Sequence, residues 1–264
     1  MRGLPFWVIL EKELKLELRF KFSFLFSSLI DPVINTFWFG LLYLGFFSIG
    51  SKPLWGVTRE AFIPFLVVGG LVNGFFSVGF GVFSSKLLYE KFWKTIEAFL
   101  IVPISRFHLL LGYGLVEFIR MSFALLLFLG FCYWLHPTSG LVLLSVLLIL
   151  VGLLMGSLGV GLIRGIFTLT NENILPAFNF LYWGWGFMSC FYYPKEILPR
   201  FIEPLTLVNP VYHAVTLIRH LWFDYPISSV FVSSLWILGF AILMPLTGVT
   251  LFNRLWKKMG IQGY

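Results

Sequence analysis

Residues 140–167, GLVLLSVLLILVGLLMGSLGVGLIRGIF, decide the fold, because these 28 consecutive positions carry a single charge, Arg164. As an α-helix the run is about 42 Å long, against about 30 Å for the hydrocarbon core of a bilayer. In lipid a single segment satisfies its own backbone polar groups only as a helix, so the run reads as a membrane crossing. The rest of the chain agrees. Of 264 residues 59% are hydrophobic and 12% charged, and the mean hydropathy is +0.91. A soluble domain carries about 25% charged residues, so there is too little charge here to cover a surface facing water. Residues 1–264 are expected to form one all-α membrane domain.

Working outward, His136-Pro-Thr-Ser-Gly140 reads as a short turn that joins this run to another span over about 107–135. Further spans are expected at about 31–49, 61–83, 174–193 and 230–252, six in all. Residues 5–28 differ, because charge and bulk alternate at helical spacing. Phe6, Leu10, Leu14, Leu18, Phe22 and Leu25 share one broad face, and Glu11, Lys12, Lys15 and Arg19 fall elsewhere. That pattern describes a helix lying along the membrane surface. Its charges also interrupt the place where a cleavable signal would have its apolar run. Asp31-Pro32 reads as the start of the first span, with Asp31 as N-cap.

Between 194 and 223, Pro194, Pro199, Pro204 and Pro210 cut the chain into pieces too short to cross. Phe201, Ile202, Leu205, Leu207, Val208 and Val211 are nonetheless too apolar for a solvated loop. Two short helices that dip into the membrane and return satisfy both facts. Lys and Arg concentrate in the N-terminal helix, in 86–106, at Arg164 and in the tail, which predicts cytoplasmic termini. The net charge of +7 then belongs to residues facing lipid headgroups, and nothing in it requires nucleic acid.

Few residues carry chemistry. No phosphate-binding loop is present, since the glycines of Val78-Gly-Phe-Gly-Val82 sit within a span and lack the following Lys-Ser/Thr. His108, His136, His213 and His220 have no metal-type spacing with carboxylates, so no metal site and no catalytic residue is expected. Glu117 and Arg120 lie three apart inside an apolar run. A charge at depth must be paired or wet: they either pair with each other or line a hydrophilic vestibule. The span over 174–193 is dense in aromatics, Tyr182, Trp183 and Trp185 among them. These are either interfacial anchors or a smooth wall along a path for a sugar or lipid-like substrate. Gly70/Gly74, Gly152/Gly156 and Gly161/Gly165 have the small-xxx-small spacing of close helix packing.

Two stretches resemble the permeases of type-2 ABC exporters, which include exporters of lipid-linked polysaccharide, nodulation-type lipo-oligosaccharides and drugs. One runs from Gly69-Gly-Leu through Tyr89-Glu-Lys-Phe-Trp-Lys-Thr-Ile-Glu-Ala-Phe-Leu-Ile-Val-Pro103 to Gly112; the other is Tyr193-Pro-Lys-Glu-Ile-Leu-Pro199 with Asn209-Pro-Val-Tyr-His213 and Leu217-Ile-Arg219. The resemblance implies a half-transporter in a bacterial or archaeal cytoplasmic membrane, paired as a homodimer. Each copy would bind a separate ATPase subunit that holds ATP and Mg, with no cofactor in this chain. It implies that residues 87–102 form a coupling helix seated in the ATPase, with Glu90, Lys94 and Glu97 making the contact. Glu196, Asn209, Pro210, His213 and Arg219 would gate the outer end of the path. The implied substrate is lipophilic or amphiphilic, a drug-like molecule or glycolipid, with a lipid-linked polysaccharide as the alternative. A lipid-modifying enzyme and an ion-driven carrier are the readings from other classes.

Overall fold

The amphipathic spacing of the first residues yields helix α1 (Pro5–Arg19). The computed structural model describes residues 5–31, 33–34, 36–38, 40–41, 59–94 and 106–262. At Phe20 the backbone leaves helical geometry, and α2 (Lys21–Leu25) leads into a π-helical turn, Phe26–Ile30. Asp31 is itself helical (φ −56°, ψ −51°), so it does not cap a new helix as its pairing with Pro32 predicts. Described residues of 31–41 are helical, and the rest of the span expected at 31–49 lies outside the described residues.

Among the described residues four helices are long and apolar enough to cross a bilayer: α3 (Arg59–Phe92), α4 (Arg106–Leu135), α5 (Gly140–Thr170) and α9 (Val230–Gln262). All described secondary structure is helical. The expected fifth span becomes α6 (Leu175–Met188), whose 14 residues cover about 21 Å, less than the hydrocarbon thickness. A tight turn ends it, with Cys190 in the left-handed region (φ 53°). Short pieces follow: a 3₁₀ turn at Lys195–Ile197, α7 (Glu203–Thr206) and α8 (Pro210–Phe223).

α3 and α5 form the centre, and α9 packs along the other side of α5. Val72, Phe75 and Phe76 of α3 and Leu150 and Leu158 of α5 are fully enclosed. Glycine makes this approach possible. A Cβ on Gly161 would overlap the carbonyl of Gly79 in α3, and one on Gly159 would overlap the α9 backbone at Met244–Pro245. A Cβ on Gly248 would lie 2.6 Å from the carbonyl of Gly159. The small-residue spacing thus serves packing within the chain, backbone against backbone. Phe92, Arg106 and Thr170 share one end of the bundle, called the platform end below, and α1 packs across it against α4.

Candidate functional site

The platform end is held by ion pairs between segments far apart in sequence. Lys86 and Glu90 are four apart on α3 and face α1 together. Lys86 Nζ lies 2.7 Å from Glu13 Oε2 and 3.1 Å from Glu17 Oε1, and Lys12 Nζ lies 2.7 Å from Glu90 Oε1. On the other side of α3, Lys91 Nζ lies 2.8 Å from Glu172 in the α5–α6 turn and donates to the Leu169 carbonyl at 3.3 Å. Glu13 is only 2% exposed. Exposed pairs such as Lys91–Glu172 are worth about 0–1 kcal/mol, so the enclosed Glu13–Lys86 pair dominates. A buried charge is tolerated only when paired and hydrogen-bonded.

The protein-facing stripe of α1 is therefore Ile9, Leu10, Glu13 and Glu17, while Leu18 and Phe22 point outward. The sequence reading missed both carboxylates, because periodicity alone assigns charge to the solvent side.

Leu87–Phe92, the start of the expected coupling helix, are the last turns of α3. The helix stops at Phe92, and Lys94 takes φ 56° while its N–H bonds the Lys91 carbonyl at 3.1 Å. The chain is redirected there, so Glu90 and Lys94 do not stand on one unbroken helical face. Glu97 lies outside the described residues, as does the rest of 95–105. Tyr89, Phe92 and Trp93 leave large aromatic surfaces exposed at the tip.

At the opposite end α8 organises the site. Asn209 caps it, accepting from the Val211 N–H at 2.9 Å, with Pro210 at the first helical position. The same Asn209 accepts from Trp185 Nε1 at 2.7 Å and donates to Ser189 Oγ at 2.9 Å, tying α8 to the end of α6. His213 lies 2.9 Å from the Leu207 carbonyl through Nε2 and 3.0 Å from Ser233 Oγ through Nδ1. A carbonyl only accepts, so Nε2 carries the proton, and in the neutral ring Nδ1 accepts from the serine hydroxyl. Arg219, 2% exposed, donates to the carbonyls of Cys190 (3.1 Å), Phe191 (2.6 Å) and Phe65 (3.0 Å) and lies over the Phe65 ring. Four of the five expected gate residues thus gather at α8. Glu196 is exposed on the 3₁₀ turn, apart from them.

The aromatic residues of α6 divide by helical phase. Tyr182 and Trp185, three apart, face inward: Tyr182 stacks on Phe76 and Trp185 contacts Phe76 and Phe240. Trp183 is 74% exposed, and its ring lies edge-on to Tyr182 with centroids 6.1 Å apart. Glu117 and Arg120 do meet, with Nη2 2.5 Å from Oε2 at an angle unsuited to a hydrogen bond. Arg120 also lines a cleft of about 330 Å³ with Asp31, Thr36, Asn73, Ser77 and Tyr192. The cleft needs neighbours from four segments, and no local pattern signals it. Arg164 donates to Asn179 Oδ1 at 3.0 Å and sits over the Phe80 ring, bridging α5 to α6. Among the described residues no three His, Cys, Asp or Glu side chains converge.

Long apolar helices, a charged platform at one end and short capped helices at the other define a multi-pass membrane protein built to connect two faces of a bilayer. Residues 5–223 match the ABC-2 type transporter family, and the chain belongs to it. It is 23% identical over 224 residues to the inner membrane transport permease YadH of Escherichia coli K12, an alignment covering 81% of this chain and 83% of that protein. The YadH proteins of Escherichia coli O157:H7 and Shigella flexneri match with the same figures. The chain is accordingly a membrane subunit of the ABC-2 class, and membership in that family implies an ABC ATPase as partner.

Proposed function

We propose that this chain is the permease half of an ATP-driven exporter. It works as a homodimer, with six crossings and both termini in the cytoplasm, and moves an amphiphilic molecule outward from the cytoplasm or inner leaflet. The observation that carries the reading is the ion-paired platform. Glu90, Lys86 and Lys91 at the end of α3 grip α1 on one side and the α5–α6 turn on the other. A push on the tip of α3 would reach both at once. The ATPase would seat on residues 87–102, with the exposed Tyr89, Phe92 and Trp93 supplying apolar contact and Glu90, Lys94 and Glu97 supplying register. ATP and Mg stay on the partner. Nucleotide shifts the permease between conformations only if the ATPase binds one of them better.

At the outer end, Asn209, Pro210, His213 and Arg219 would act with Glu196 as the gate. Their bonds to α6, to α9 and to the Phe65 carbonyl of α3 make α8 a shared joint. The test is co-expression with ATPase subunits from the same genome, purification through a tag on this chain, and measurement of co-purification and ATP hydrolysis. Glu90→Lys, Lys94→Glu and Glu97→Lys are expected to reduce assembly or hydrolysis severalfold. Absence of any associating ATPase, with reversals that change nothing, would overturn the reading.

A further inference from the structure

We propose that Arg164 and Asn179, which face each other across the hairpin of α5 and α6, bind the phosphate of an anionic phospholipid from the leaflet at the platform end. The site does not depend on what the chain transports.

The hairpin sets the two side chains at a similar height. Arg164 lies six residues before the end of α5 at Thr170, about 9 Å along the helix, and Asn179 lies four residues into α6, about 6 Å along it. Arg164 Nη2 donates to Asn179 Oδ1 at 3.0 Å. A guanidinium only donates, so the amide turns its oxygen to Arg164 and keeps its Nδ2 N–H pair on the other side. Asn179 is exposed, and that N–H pair has no partner among the described residues.

Arg164 carries an uncompensated charge. Lys12, Lys86, Lys91 and Arg120 each meet a carboxylate, that of Glu90, Glu13, Glu172 and Glu117 in turn. Arg164 meets none among the described residues. The single acid of residues 140–188 is Glu172, and Lys91 holds it at 2.8 Å. What Arg164 has instead is the Phe80 ring, 4.8 Å from its guanidinium carbon, and the neutral amide of Asn179. Neither cancels a unit charge, and a cation inside a membrane helix is costly without a counter-charge or water. Nε is enclosed with no acceptor, whereas Nη1 has no partner among the described residues and is not enclosed.

Nη1 and Asn179 Nδ2 therefore flank the Nη2–Oδ1 bond as two unused donors, one from each helix. Donors without a free acceptor between them suit a group that only accepts, and a guanidinium fork matches phosphate oxygens. The rest of the surface points to a lipid as the source of that phosphate. Phe180, Trp183 and Phe187 are exposed on α6 at helical spacing, and Asn179 lies one turn before Trp183. An acyl chain along this stripe leaves its head group at the Asn179 end, whereas a free anion gains nothing from it. The surplus charge selects an anionic lipid, because a choline head group brings its own cation. Basic groups between transmembrane helices bind anionic head groups in this way. A phosphate held by both side chains would brace α6 against α5.

The test uses the full chain in detergent and native mass spectrometry, which counts bound lipid. The probes are phosphatidylglycerol and phosphatidylcholine with the same acyl chains, and inorganic phosphate is the competitor. Phosphatidylglycerol is expected to bind about fivefold tighter or more. Arg164→Gln should weaken it about tenfold, and Asn179→Ala severalfold while keeping the wild-type unfolding temperature without lipid. Arg19→Gln removes the same charge from the exposed end of α1 and should bind phosphatidylglycerol as wild type. Equal binding of the two lipids, unchanged binding in both site variants, or the same loss from Arg19→Gln overturns the proposal. Displacement of phosphatidylglycerol by millimolar inorganic phosphate would make this a soluble-anion site and overturn the lipid assignment.

Discussion

Replacing Lys86 by Met removes the cation that neutralises the most enclosed carboxylate of the platform. Glu13 is 3% exposed at its side chain, and Lys86 is 22% exposed. Breaking a buried pair by deleting one partner costs about 3–5 kcal/mol, most of it the penalty of the stranded charge. Lys12, 3.6 Å from Glu13, remains, so the lower figure of about 3 kcal/mol applies. Glu13→Gln is milder, about 1 kcal/mol, because Lys86 keeps Glu17 at 3.1 Å and the amide still accepts from Lys86. In the double variant Glu13 is no longer stranded and only the partly exposed Glu17 loses its cation, so the cost should be about 2 kcal/mol rather than the sum, a coupling of about 2 kcal/mol. At roughly 2–4 °C per kcal/mol for a chain of this size, Lys86→Met should lower the midpoint by about 6–12 °C and the double variant by about 4–8 °C. Thermal unfolding followed by fluorescence-detected size exclusion on the three variants reads these shifts. A Lys86→Met shift within about 2 °C of wild type, or strict additivity in the double variant, would refute the account of the platform.

Other positions test other parts of the fold. Gly161→Ala drives a methyl group into the Gly79 carbonyl and should cost about 1–3 kcal/mol, whereas Gly81→Ala, with open space around it, should unfold within about 2 °C of wild type in the same assay. Arg219→Lys keeps the charge, but one ammonium cannot reach the three carbonyls that the guanidinium holds. A loss of about 3 kcal/mol is expected, seen as a lower yield of monodisperse protein and a lower midpoint. Asn209→Ala removes the cap of α8 and leaves the Trp185 indole N–H without its acceptor, so about 2–3 kcal/mol should be lost; Asn209→Asp keeps the acceptor but turns a buried carboxylate oxygen onto the Trp185 carbonyl, and should not recover the loss.

The long helices were legible because length and hydropathy are local properties, and the run at 140–167 needs no neighbour to be read. Asn209-Pro210 was legible for a related reason, since the cap and the first-turn proline lie side by side. Asp31-Pro32 carries the same signal, yet Asp31 is helical and its N–H bonds back to the Phe26 carbonyl, so it continues the π turn before it. The Glu13–Lys86 pair joins residues 73 apart, and only the tertiary structure brings them together. For α6 the aromatic density was plain, but its phase was not. Tyr182 and Trp185 pack on Phe76 of α3, while Trp183 on the next phase stays exposed. The early end of α6 at Ser189 and Cys190 lacks the glycine or proline that would have announced a turn.

The glycine contacts between α3, α5 and α9 have a mechanical consequence. Helices that meet through side chains can slide by exchanging rotamers, but peptide atoms have no rotamers to exchange. At Gly79–Gly161 and Gly159–Gly248 the backbones touch directly, and a shift of one residue rise, about 1.5 Å, would bring a neighbouring Cβ into a carbonyl. These three helices therefore share one set of rigid-body coordinates. A push on the tip of α3 would then move the three as one body and carry the α1 and α5–α6 contacts of the platform with it.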